Sequence, residues 1–345
     1  MMIDWVTIKV PFHHPDVISG GLFISVNPDG SVEYQTPKRL QITGSYSSSM
    51  TVRTTNVNRD GQTVEVQLSG NPVKFLQGHN VWGSTDLPNL VAETIIKVSA
   101  ALGVTQPDHV FSRLAGSTLS RVDINQMYDL GNRENVLAYL NHLGQNSRTR
   151  SQSAVVKGTT VYHNKTSARW SAKFYSKGQE IELPRNNKQG TLELTNSVKS
   201  YADPMLRVEI TLKANELRDR SLRLLGEWQM IDCEEIFDNY HERITMPDQE
   251  IMLIPENLPS SVRLTYVSWK EGHDLRSLLS RPTYYRHRKQ LLEHGIDISL
   301  PSGKVQPDQT NVTPFIRTIT LKPAAIPHWA YGTDLLFEPR KLCKF

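Results

Sequence analysis

The sequence predicts an α+β protein with a mainly antiparallel central sheet and flanking helices, plus a smaller C-terminal region. Three observations predict it. Hairpin signals crowd the first 80 residues, strictly alternating apolar and polar segments recur near residues 121, 170 and 206, and helical periodicity is confined to a few stretches.

Taken in order, Val6, Ile8 and Val10 alternate, and residues 22–26 and 32–35 flank the turn Asn27-Pro28-Asp29-Gly30. Residues 51–57 and 63–68 flank a second turn, Asn58-Arg59-Asp60-Gly61. A helix is expected over 87–102, opened by Asp86 and Pro88 and stopped by Gly103. The strand around Asp123 leads into a helix over 133–143 that aligns Val136, Leu137, Leu140 and Leu143. A hairpin is expected over 155–163, turning at residues 164–167 and returning through Tyr175 to Ile181. The Glu209 strand and a helix over 214–225 follow. Residues 255–260 mark a boundary, giving a larger domain over 1–254 and a C-terminal accessory domain over 255–345. In the latter, helices are expected at 274–279 and 282–294, a pair compatible with a helix-turn-helix, before a strand at 312–321.

Alternation sorts side chains by face. In Arg121-Val122-Asp123-Ile124 the apolar residues point one way and Arg121, Asp123 and Asn125 the other; Arg207-Val208-Glu209-Ile210 repeats the pattern. In 170–177, Trp170, Ala172 and Phe174 oppose Lys173, Tyr175 and Lys177. If these strands share a sheet, one polar face gathers two carboxylates, two lysines and a tyrosine, the equipment for cutting a phosphodiester with a tyrosine nucleophile and a divalent metal. A merely solvated face accounts for the same alternation.

Charge adds direction. The formal net charge is +4, but residues 147–185 hold eight Lys or Arg against two glutamates, and residues 255–345 hold thirteen basic against eight acidic residues. Local basic surplus is the footprint of a polyanion partner such as DNA. No apolar run approaches the roughly 20 residues that cross a bilayer, so no membrane partner is expected. Cys233 and Cys343 are the only cysteines and lack metal-ligand spacing, which points to a reducing, cytoplasmic setting.

The block 74–87, Lys-Phe-Leu-Gln-Gly-His-Asn-Val-Trp-Gly-Ser-Thr-Asp-Leu, resembles one in the filamentous bacteriophage gene II replication initiators, the endonucleases that start rolling-circle replication. Met2-Ile3-Asp4 resembles that family's start and implies initiation at Met2. Ser120-Arg121-Val122-Asp123, Thr149-Arg150-Ser151-Gln152, Tyr175-Ser176-Lys177 and Leu206-Arg207-Val208-Glu209 follow in the family's order, and the likeness thins after residue 225.

The resemblance implies that Tyr175 attacks DNA to leave a 5′-phosphotyrosyl link and a free 3′-hydroxyl, keeping the bond energy for rejoining. Lys173 and Lys177 would ease phenolate formation. Asp123 and Glu209, hard oxygen ligands, suit Mg²⁺ or Mn²⁺. His79 would ligate the metal or hold phosphate, with His163 as a second candidate. The His-hydrophobic-His pair of the wider class is absent, since His13 and His14 are adjacent, so the third ligand stays open. Arg148, Arg150 and Lys165 are expected on phosphates. Arg121 and Arg207 either join them or form salt bridges, and Trp82 either stacks on a base or packs in the core. Tyr162 and Tyr128 are alternative nucleophiles. Sequence reading by 284–289, where tyrosines interleave with cations, is a further expectation. Partners implied are origin DNA, single-stranded or supercoiled, and a host helicase and polymerase. The alternatives are a non-catalytic DNA-binding replication protein and a hydrolytic metal-dependent nuclease.

Overall fold

The computed structural model of the 345-residue chain describes residues 1–44, 48–183, 194–245, 250–252, 258–293, 296–300, 316–318 and 321–340. It falls into two compact units, residues 1–247 with 321–345, and residues 248–320.

The first unit begins with β1 (Met2–His14), the hairpin β2 (Leu22–Val26) and β3 (Val32–Pro37), then β4 (Leu40–Thr43), β5 (Ser49–Val57) and β6 (Thr63–Gly70). Both expected hairpins form, and in each the turn glycine, Gly30 or Gly61, has a positive φ. Helices α1 (Pro72–Gln77), α2 (Leu87–Ala101) and α3 (Asp108–Ser112) precede β7 (Thr118–Asp129) and α4 (Arg133–Asn146). Short strands β8 (Arg148–Thr149), β9 (Val155–Lys157) and β10 (Thr160–His163) lead to β11 (Trp170–Ser176). After α5 (Lys177–Glu182) and α6 (Asn196–Ala202) come β12 (Met205–Lys213), α7 (Ala214–Asp219), α8 (Cys233–His241) and β13 (Ile244–Thr245).

The sheet is antiparallel throughout, in the order β4–β5–β6–β1–β7–β12–β11–β10–β9. The three motif strands, β7, β12 and β11, are therefore adjacent. Val122, Ile124, Val208, Ile210, Leu212 and Phe174 are buried on one face, where α4 and α8 pack. Each such side chain contributes about 1.5–3 kcal/mol. The opposite face carries the polar residues.

The second unit contains β14 (Glu250–Met252) paired with β15 (Ile316–Thr318), and helices α9 (Ser260–Lys270), α10 (Leu275–Leu278) and α11 (Arg281–Leu292). The helices share an apolar core that includes Val262, Tyr266, Trp269, Tyr284 and Leu291. Tyr284 and His287 of the segment expected to read sequence are thus buried, while Tyr285 is exposed.

Three expectations are corrected, and a fourth falls partly outside the described residues. A single cut at 254 places residues 321–340 with the C-terminal piece, yet β16 (Lys322–Pro323) pairs with Tyr128 and Asp129 of β7. β1 pairs with β7 only as far as Asn125, so β16 takes up the edge β1 leaves free. The Tyr175 strand ends at Ser176 rather than running to Ile181, because the Ser176 hydroxyl accepts from the Gln179 N–H and caps α5. The helix after Glu209 stops at Asp219, where Ser221 adopts a left-handed φ of 55°. Of the strand expected at 312–321, residues 316–318 form β15, and 312–315 and 319–320 lie outside the described residues, as does Cys343.

Helix α1 sets up the block that follows it. Asn71 caps its start, and Gly78, at φ 94°, closes its end by donating to the Lys74 carbonyl. A side chain at that φ is strained, so Gly78→Ala is expected to lower unfolding stability in urea by about 1 kcal/mol.

Candidate active site

The register places the polar side chains in rows. Lys173, Glu209 and Asn125 lie opposite one another across β11, β12 and β7; Ser171, Thr211 and Asp123 form the next row, and Tyr175, Arg207 and Met127 the row on the other side. The phenol and the two acids proposed from sequence therefore share one face.

Glu209 is the hub. The Tyr175 hydroxyl donates to its Oε1 at 2.5 Å, and the Lys173 ammonium donates to Oε2 at 3.2 Å. That same ammonium lies 4.0 Å from the centroid of the Tyr175 ring. Burial raises the Glu209 pKa, the charge of Asp4 adds to this, and Lys173 and Tyr175 oppose it. Burial, followed by the Glu209 charge, pushes the Tyr175 phenol well above its ordinary value, and Arg207 offsets only part. In this state burial outweighs the nearby cations, and Lys177 donates to Asn80 and Glu180 rather than flanking the phenol.

Asp123 is buried and held by both prongs of Arg121, at 2.8 and 2.6 Å. Burial raises its pKa and Arg121 opposes the rise. The Arg121 guanidinium also lies 5.3 Å from the Trp5 ring. Of the two arginines left open between phosphate contact and a cross-strand salt bridge, Arg121 pairs with Asp123 along its own strand β7; the ion pair across strands is that of Lys173 with Glu209.

The Tyr175 end of the face is roofed by residues 79–82. Arg207 is fully buried; its Nη2 donates to the carbonyls of Asn80 at 2.5 Å and Val81 at 2.7 Å, and its Nη1 lies 3.7 Å from Asp4 Oδ1. Contact between Arg207 and a DNA phosphate is excluded in this conformation. Asp4 sits at an irregularity in the β1–β7 pairing between Ile3 and Trp5, and also accepts from Asn71 and Asn80. Lys177, the first residue of α5, is buried and donates to Asn80 Oδ1 at 2.9 Å and Glu180 Oε2 at 2.7 Å. Burial, then the Arg207 charge, lowers its pKa to about 8.

His79 and Trp82 belong to this roof. His79 Nε2 donates to the Leu335 carbonyl at 2.8 Å, while Nδ1 accepts from the Val81 N–H at 3.3 Å. With both nitrogens engaged and burial lowering its pKa to about 4, His79 is a neutral structural residue and not a metal ligand in this conformation. Trp82 donates its indole N–H to the same carbonyl and packs edge-on against His79, Tyr201 and Trp329, so it is core and not a stacking platform. His163 points to the apolar face, bonded to Ser147 and edge-on to Phe174. Tyr128 is buried as well.

The other end of the polar face opens into a cleft of about 530 Å³ bordered by Arg121, Tyr162, Lys165, Lys173, Glu209 and Lys213. Arg148 and Arg150 are exposed outside it, on the segment tied to the 164–167 turn by the Thr149–Asn164 hydrogen bond. Sequence reasoning missed Asp4 as a neighbour of the site and Lys213 as a lining cation. Asp4 was visible in the opening block, but its role depends on the irregularity in β1.

Among the described residues, no three His, Cys, Asp or Glu side chains stand together as a metal site. The oxygen donors nonetheless suit a hard cation in type. Asn125, opposite Glu209, has a buried amide nitrogen without a hydrogen-bond partner, and turning the amide over would present its oxygen instead.

Two outcomes are expected. His79→Ala leaves the buried Val81 N–H without the imidazole acceptor and the Leu335 carbonyl with the Trp82 indole alone, and should cost about 1–3 kcal/mol in denaturant unfolding. The Lys177 pKa lies below its ordinary 10.5, so the unfolded chain binds this proton more tightly between about 8 and 10.5, and folding stability rises with pH there. Stability curves across this range should show that increment in the parent protein and its loss in Lys177→Met.

Residues 2–231 match the N-terminal family model of the phage replication-associated protein, the gene 2 protein, and residues 255–335 match the C-terminal model of the same protein. A replication-associated gene 2 protein of Enterobacteria phage I2-2 is 37% identical over the whole length of both chains. No described helix is long and apolar enough to cross a membrane. The chain thus belongs to the family of phage replication-associated gene 2 proteins, the gene II group that its sequence blocks resemble.

Proposed function

We propose that this protein is a site-specific DNA nicking and joining enzyme that initiates rolling-circle replication of a phage or plasmid genome. The observation that carries the reading is the hydrogen bond from Tyr175 to Glu209 on a sheet face shared with Asp123, next to a cation-lined cleft.

Tyr175 Oη attacks the scissile phosphorus, the bond to the 3′-oxygen breaks, and that oxygen leaves as a 3′-hydroxyl on taking up the proton that the phenol gives to Glu209. Glu209 already accepts the phenol hydrogen at 2.5 Å and is placed to take the proton. Its raised pKa makes it a stronger base than an ordinary carboxylate. Lys173, within reach of both groups, and the buried Arg207 counter the charge that builds on the phenolate. Asp123 and Glu209, with the Asn125 amide, would hold Mg²⁺ or Mn²⁺, which when bound neutralises charge on the phosphate. Lys177 positions Asn80 in the roof. Reversal of the first step rejoins the strand without another energy source. The free 3′-hydroxyl suits extension by a host polymerase behind a host helicase, in the host cytoplasm.

The pairing of Asp123 with Arg121 and of Glu209 with Lys173 favours a second reading, a DNA-binding replication protein without catalysis. A hydrolytic nuclease would use water in place of Tyr175. Incubation with single-stranded origin DNA and Mg²⁺, followed by denaturing electrophoresis, separates the three. Nicking is expected to leave a covalent protein–DNA adduct that is absent in Tyr175→Phe. Cleavage persisting in that variant would favour hydrolysis, and binding without cleavage by the parent would favour the non-catalytic reading. Glu209→Gln is expected to slow adduct formation by about 100-fold or more through loss of the base.

A further inference from the structure

We infer that the cleft beside Glu209 accepts an unpaired DNA strand and that Tyr162 is the platform on which one of its bases stacks. The inference rests on the nicking reading for the chemical class of ligand, and on different residues for its argument.

Tyr162 lies on β10 directly opposite Lys173, so it shares the polar face with Glu209 while its neighbours Val161 and His163 enter the core. It is half-buried and forms part of the cleft wall. Its place is unlike that of Tyr175, which is 5% exposed and bonded to Glu209. The Lys165 ammonium lies 4.5 Å from the Tyr162 ring centroid. Lys165 also crowds Lys157, and this like-charge contact lowers its pKa. Two ammonium groups pressed together beside an aromatic ring form a place where an anion relieves repulsion. Arg121, Lys173 and Lys213 supply further positive charge around the cleft, and Glu209 is the acid among its lining residues.

The combination selects a strand with free bases. In a duplex each base has both faces covered by its stacked neighbours, so a tyrosine on a groove wall has nothing to stack on. An unpaired strand offers π-faces to the ring and phosphates to the lysines. A base seated on Tyr162 would leave Lys165 at hand for a flanking phosphate.

The test is fluorescence anisotropy without metal, in a Tyr175→Phe background so that no chemistry intervenes. The probe is a short labelled single-stranded oligonucleotide, compared with a duplex of the same length. Tyr162→Ala is expected to weaken single-strand binding by about 10- to 100-fold. Tyr162→Phe and Tyr162→Trp should keep parent-like affinity, and duplex binding should be weaker and indifferent to position 162. Unchanged single-strand affinity in Tyr162→Ala, with circular dichroism showing a folded protein, would overturn the inference. So would an adduct in the Tyr175→Phe background that disappears on adding Tyr162→Phe, since Tyr162 would then be a nucleophile. Tyr162-dependent binding in a protein whose Tyr175 forms no adduct would sustain this inference while removing the nicking reading.

Discussion

The register of β12 between β7 and β11 is the constraint on which the polar face depends. Leu206, Val208, Ile210 and Leu212 are each fully buried on the far side. A slip of one residue would turn all four to the polar side, forfeiting roughly 6–12 kcal/mol of burial. Glu209 thereby meets Lys173 and Asn125 because of apolar packing beneath it, and the chemistry above is positioned by side chains that take no part in it.

The acids sit in a neutralised state. A carboxylate as deeply buried as Glu209 or Asp123 needs a compensating cation, and each has one. Those cations, Lys173 and Arg121, also border the cleft. A phosphate arriving there would compete for the charges that hold the acids. On the proposed reading, binding of the strand and readiness of the acids would be coupled through the same two side chains.

The period of two made the strand faces legible, because alternation alone separates Val122 and Ile124 from Arg121 and Asp123. The neighbourhood of β7, β12 and β11 was an assumption there and is a fact of topology here. Lys177 was placed one strand position too far because the pattern continues through it, whereas the Ser176 cap turns the chain into α5. The His79 block identified the family but not the role of its histidine. That role is set by a carbonyl at Leu335, 256 residues away, and no local pattern carries such a contact. Burial of Arg207 beneath the same block was hidden for the same reason: the strand motif places it on the polar face, and the loop above it removes it from solvent.

The return of residues 321–340 to the first unit has a consequence for biosynthesis. The second unit is an excursion between two stretches of chain that complete a single body, and the Leu335 carbonyl fastens both His79 and Trp82. On the ribosome, the N-terminal 247 residues emerge long before that fastening can be made. Until Leu335 has been made, the nascent chain would therefore carry an unfastened roof over Tyr175.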